Sequence, residues 1–268
     1  MTTLKTLQDN RIGSTVFYPR PDMPFGKIAK GAKDLMFEVE RGVRLRLRVY
    51  RGQQTAPNIL FFHGNGETAR DYDSLADKYR ALPANFAVAE YRGYGTSTGT
   101  PSIYTFLEDA NATLNEFLKI LSEEDRSGPL IIMGRSIGSA PAIDVTRNRK
   151  DVVSGLIIES GFARIVPLLE LLGIQARSLG ITEEYGPQNE LKMADLRLPT
   201  LFIHAEDDEI IPILEAERMF AQCRDSGKEF FRVPKAGHND LQEKSGQSYF
   251  DQIRDFLERV KREAVSAD

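Results

Sequence analysis

Six short runs along the chain are almost wholly apolar: ILFFH, FAVAEY, LIIMG, GLIIES, TLFIHA and EFFRVP. Continuous apolar runs of this length suit strands buried on both faces of a parallel sheet. Amphipathic helical patterns separate them, at Ala69–Leu82, Tyr104–Leu121, Ser139–Arg147 and Leu214–Cys223, and a last one at Tyr249–Val260 closes the chain. Strand and helix in alternation predict an α/β fold with helices on both faces of a mostly parallel sheet.

Upstream the pattern differs. VFYPRPDMPFGKIAKG is rich in Pro and Gly and reads as loop. DLMFEVE and VRLRLRVY read as two further strands, about eight in all. In the second, Val43, Leu45, Leu47 and Val49 alternate with Arg44, Arg46 and Arg48. Period-two alternation predicts one buried face and one solvated arginine face, not a nucleic-acid patch.

Composition adds bounds. The 268 residues are 41% hydrophobic and 28% charged, enough apolar material for one large core. The net charge of −4 argues against nucleic acid as a partner. One cysteine, Cys223, forbids an internal disulfide. The opening residues carry no apolar stretch suited to a leader or anchor, and no run of eighteen apolar residues occurs. A single domain over 1–268, cytoplasmic and without a stable membrane anchor, is expected. Oligomeric state is not legible.

In α/β folds ligands collect at the carboxyl ends of the strands, so the loops after the apolar runs are informative. LIIM runs into GRSIGSAPA, with Ser136 between Gly134 and Gly138. A nucleophile elbow requires this spacing, because side chains two positions either side of the serine would strike the neighbouring strand and helix. The plain alternative is a glycine-rich turn. ILFFH runs into GNGE, a loop placed to donate the Asn65 amide to a developing oxyanion, with the Ile137 amide as second donor. TLFIHA runs into EDDEIIP; Asp207 and Asp208 are both candidate partners for a histidine, with Asp208 preferred, while Glu206, Asp207 and Glu209 read as a solvated turn. EFFRVP runs into KAGHNDL. Of the three histidines, His63, His204 and His238, only His238 follows both the serine and the aspartate. The order Ser136, Asp208, His238 suits a nucleophile, an orienting acid and a general base.

Taken together, VFYPRP, LFFHGNGE, EYRGYGTSTGTPS, MGRSIGSAPA, ESGFA, LFIHAEDDEIIP and KAGHNDL resemble the α/β-hydrolase superfamily, and within it a depalmitoylase-related group of serine hydrolases. Three features depart from that group, one being that the stretch from Arg164 to Asn189, where the cap would lie, matches nothing in it. Glu90 stands where an Asp usually precedes Tyr-Arg-Gly, and the N-terminal cysteine cluster of membrane-bound depalmitoylases is missing, which argues against protein depalmitoylation. The resemblance implies a small helical cap inserted at about 163–195, whose leucines either line an acyl pocket or pack the cap onto the body. It also implies hydrolysis of a small-molecule carboxylic ester or thioester through an acyl-enzyme, with no cofactor and no metal. A peptidase or amidase with the same triad, and a non-catalytic binding protein on the same fold, are the competing readings. Arg135 is expected to pair locally, Arg92 and Tyr94 to brace a loop, and Cys223 to be an inert, partly buried thiol.

Overall fold

The computed structural model describes residues 13, 15–22, 29, 31–82 and 84–267. The leading residues 1–12 and positions 23–28 of the expected loop lie outside the described residues.

Eight strands form one sheet: β1 (Ala32–Glu40), β2 (Val43–Tyr50), β3 (Asn58–Phe62), β4 (Asn85–Ala89), β5 (Leu130–Arg135), β6 (Val153–Glu159), β7 (Thr200–Ala205) and β8 (Glu229–Val233). Their spatial order is β1-β2-β4-β3-β5-β6-β7-β8. The β1–β2 and β2–β4 pairs are antiparallel, and the pairs from β4 through to β8 are parallel. The principal helices are α1 (Ala76–Ala81), α2 (Ile103–Glu123), α3 (Ser139–Asn148), α4 (Ile165–Leu171), α5 (Asn189–Met193), α6 (Ile213–Gln222), α7 (Leu241–Ser245) and α8 (Gln247–Ala267). The segment read as a cap folds as α4, a 3₁₀ turn at Glu183–Tyr185 and α5.

The apolar runs become strands because their alternate residues serve two cores. On β3, Leu60 and Phe62 face the core shared with α2, α3 and α4, whereas Ile59 and Phe61 face the core shared with α1 and α8. On β5, Leu130 and Ile132 divide from Ile131 and Met133 in the same way. Burying one such side chain contributes about 2 kcal/mol. Ser102 starts α2, its hydroxyl accepting the Thr105 amide at 3.1 Å. Among the described residues, no helix is long and apolar enough to cross a membrane.

The arginine face of β2 is not solvated. Arg46 and Arg48 are 1% and 3% exposed, and Arg44 alone of the three faces water. The 3₁₀ turn Ala69–Ser74 packs on this face, its Asp73 carboxylate taking Arg48 and its Ala69 carbonyl accepting the Tyr50 hydroxyl at 3.2 Å. Arg48 holds its cross-strand partner Asp34 through two bonds of 2.6 and 2.7 Å, and Asp73 at 2.9 Å. Arg46 reaches Asp22 at 2.6 Å and Glu90. The carboxylates come from distant parts of the chain, and a buried guanidinium is tolerated when its fork is matched this way.

Candidate active site

Four strand ends meet above the middle of the sheet. β5 delivers Ser136, which sits at φ +54° as the first residue of a 3₁₀ turn that runs into α3. That left-handed conformation strains a residue with a side chain. The flanking glycines are required by contact: a Cβ on Gly138 would run into the Phe62 carbonyl, and one on Gly134 into the Gly138 carbonyl. Ser139 Oγ donates to the Ser136 carbonyl at 2.7 Å and closes the turn.

The loops after β7 and β8 bring their side chains to the same point. His238 Nε2 lies 3.0 Å from Ser136 Oγ, and His238 Nδ1 lies 2.8 Å from Asp208 Oδ2. Asp208 Oδ1 accepts the amides of Ile210 and Ile211 at 3.0 and 2.7 Å. Burial alone would raise the Asp208 carboxyl, but the hydrogen bonds it accepts from His238 and the Ile211 amide hold it below the ordinary range. Asp208 therefore stays an acceptor, Nδ1 carries the proton, and the Nε2 lone pair faces the serine hydroxyl. Asp207 points its side chain outward and takes no part in the relay. Glu209 is exposed in that turn, as expected, and its carboxylate also accepts the His238 amide at 3.1 Å.

Asn65 and Ile137 line a cavity of about 220 Å³ together with Ser136 and His238. The Asn65 side chain is itself locked. Its Nδ2 donates to the Val16 carbonyl at 2.7 Å, and its Oδ1 accepts Tyr18 N at 2.9 Å and the Tyr94 hydroxyl at 2.7 Å. The remaining wall is mixed: Leu168 and Leu172 from the α4 region and Ile210 and Ile211 after β7 are apolar, while Tyr18, Arg135 and Asn239 bring polar groups to it.

Arg135 does pair locally, and it joins three loops in doing so. It meets Glu67 after β3, Glu159 at the end of β6 at 3.1 Å, and the His238 carbonyl at 3.0 Å. Glu67 also accepts the Gly64 amide at 2.7 Å and the Tyr72 hydroxyl at 2.6 Å, while Tyr249 donates to Glu159 at 2.6 Å. Sequence reasoning passed over Glu67 and Glu159. The available signal was a carboxylate at or just after the end of a buried strand, in GNGE and IIES. Arg92 braces its loop against Asp109 at 2.7 Å and Glu40 at 2.7 Å. Glu90 receives Arg46 and the Ala69 amide, the latter at 2.9 Å. Cys223 is buried.

The other two histidines are buried beneath the site. His204 Nε2 lies 2.8 Å from the Ile211 carbonyl and 3.4 Å from Asp208 Oδ2. His63 Nδ1 lies 2.8 Å from the Gly64 carbonyl. Burial depresses both imidazoles, His63 to about 4.

Comparison with known proteins bears on the family and the fold. A family model described as serine aminopeptidase, S33 (Hydrolase_4) matches residues 53–192, just over half of the chain. Protein bem46 of Schizosaccharomyces pombe is 34% identical over 210 residues, spanning 76% of this chain and 68% of the relative. The α/β-hydrolase domain-containing protein WAV2 of Arabidopsis thaliana is 28% identical over 253 residues, spanning 88% and 82%. Among solved structures, the esterase Pf2001 of Pyrococcus furiosus superposes with a TM-score of 0.71 at 14% identity, covering 90% of this chain and 98% of the other. A soluble variant of monoglyceride lipase from Saccharomyces cerevisiae superposes at 0.70 and 17%, covering 90% and 99%. At those identities the two structures speak to the fold alone. With the sheet order, the elbow at Ser136 and the family match in agreement, the chain is a hydrolase of the α/β-hydrolase superfamily and belongs to the serine aminopeptidase S33 family.

Proposed function

We propose that this hydrolase cleaves a small to medium, partly apolar carboxylic ester or thioester through an acyl-enzyme on Ser136. His238 Nε2 takes the Ser136 proton as Oγ attacks the carbonyl carbon. Asp208 holds the Nδ1–H and stabilises the imidazolium. The amides of Asn65 and Ile137 receive the oxyanion. Collapse of the tetrahedral adduct expels the alcohol or thiol, which leaves with the proton from Nε2. Water, deprotonated by His238, then releases the acid.

The observation that carries this reading is the continuous relay from Asp208 Oδ2 to His238 to Ser136 Oγ, at 2.8 and 3.0 Å. The apolar side of the cavity, Leu168, Leu172, Ile210 and Ile211, supports an acyl group as occupant there, and the volume of about 220 Å³ limits its length. Each methylene buried there is worth about 0.8 kcal/mol, close to fourfold in kcat/KM, until the space is full. The test is a series of p-nitrophenyl esters from acetate upward. A rise followed by a fall with chain length supports the reading, and activity flat across the series removes the acyl pocket.

The description of the matched family as serine aminopeptidase favours a second reading, hydrolysis of an amide by the same relay. Aminoacyl p-nitroanilides run beside the esters separate the two. Higher kcat/KM on the anilides would replace the ester reading.

A further inference from the structure

The oxyanion loop has a problem that glycine creates. Gly64 and Gly66 flank Asn65, and glycine rotates freely, yet an oxyanion donor works only if its N–H is held in one direction before the reaction. We propose that His63 is the positioning residue that fixes this direction: its buried ring holds the peptide between Gly64 and Asn65 so that the Asn65 amide faces the Ser136 cavity. This rests on the reading of Ser136 as the nucleophile.

The geometry is local and specific. His63 follows the last residue of β3 and is wholly buried, its ring against Tyr91 and Tyr94 at centroid distances of 4.3 and 5.4 Å. Nδ1 lies 2.8 Å from the Gly64 carbonyl oxygen. A carbonyl only accepts, so Nδ1 carries the proton. In a trans peptide the C=O and N–H of one unit point in opposite directions. Drawing the Gly64 oxygen toward the ring therefore turns the Asn65 N–H away from it, and Asn65 lines the cavity that holds Ser136 and Ile137.

The peptide before Gly64 is held as well. Tyr91 donates to the His63 carbonyl at 2.7 Å, and the Gly64 amide donates to Glu67 at 2.7 Å. Both planes meeting at the glycine are thus tied. The Tyr94 hydroxyl completes the set by holding the Asn65 side chain at 2.7 Å. The assignment accepts one cost: His63 Nε2 is buried with no hydrogen-bond partner among the described residues.

The test compares two amides. His63→Asn puts an N–H donor near the site of the ring Nδ1, whereas His63→Gln puts it near the unpartnered Nε2. Both have similar polarity, so a packing defect strikes both. On the best p-nitrophenyl ester, His63→Gln is expected to lower kcat about 10–100-fold, with KM within about twofold, because a misaimed donor is lost only in the transition state. Affinity for an aryl boronic acid, which places an oxygen in the same position, falls in step. His63→Asn keeps kcat within about fivefold of wild type. The acid limb of the kcat/KM profile stays in place in both, since His238 is untouched. Equal kcat in the two variants overturns the proposal. So does a kcat loss that merely follows the thermal midpoint, or failure of both variants to fold. Turnover surviving Ser136→Ala, measured in the same assay, overturns instead the parent reading, and is recognised by that control.

Discussion

Arg135 Nη2 donates to the backbone carbonyl of His238 at 3.0 Å, so the residue immediately before the serine also holds the loop that carries the imidazole. The same guanidinium meets Glu67 and Glu159, whose side chains are 23% and 2% exposed. Removing it leaves Glu159 without its cation in the interior. Arg135→Ala is expected to cost about 3 kcal/mol of stability in a urea titration and to lower kcat. The double variant Arg135→Ala/Glu159→Gln should lose less than Arg135→Ala alone. Additive losses would show that the pair is not coupled.

Ser136 at φ +54° gives a prediction that separates strain from chemistry. Ser136→Gly and Ser136→Ala both remove the hydroxyl and should both be inactive. Only glycine relieves the left-handed backbone. Ser136→Gly should therefore equal or exceed Ser136→Ala in stability, by up to about 1 kcal/mol. Thermal midpoints check this, and an alanine variant clearly the more stable would contradict the strained elbow.

The sign of the acid response follows from the buried histidines. His63 titrates at about 4 when folded, against an ordinary 6.5. Burial is the main cause. Glu67 and Asp71 oppose it and Arg46 adds to it. Between those values the unfolded chain binds a proton that the folded chain refuses, so stability rises with pH and is lost as pH falls from 6.5 toward 4. The loss attributable to His63 is about 3 kcal/mol at the acid end. His204 and Asp208, both depressed, act in the same direction. Glu90 and Glu159, both raised by burial, act the other way, so the test is the difference: urea midpoints from pH 7.5 to 4.5 should fall more steeply for wild type than for His63→Asn. Identical slopes would remove His63 from this account.

Much of the fold could be read from residue order because it was local. A buried strand such as LIIM needs only neighbours of its own kind, and an elbow needs only two glycines at fixed spacing. The order of Ser136, Asp208 and His238 named three side chains that the fold does gather. The unread parts depend on contacts across long separations. Arg46 and Arg48 alternate as a wet face would, yet Asp22, Asp34, Asp73 and Glu90 converge on them only after folding. Glu67 and Glu159 look like surface carboxylates until Arg135 lies between them. Helices of five to seven residues, such as α4, α5 and α7, span too few turns for periodicity to register.

The most direct measurement is covalent labelling with a fluorophosphonate probe, mapped by mass spectrometry. Wild type should gain a single adduct on Ser136, Ser136→Ala none, and His238→Ala an adduct forming at least about a hundredfold more slowly. An unlabelled wild type, under conditions that modify a known serine hydrolase, or an adduct that persists in Ser136→Ala, would contradict Ser136 as the nucleophile of this relay.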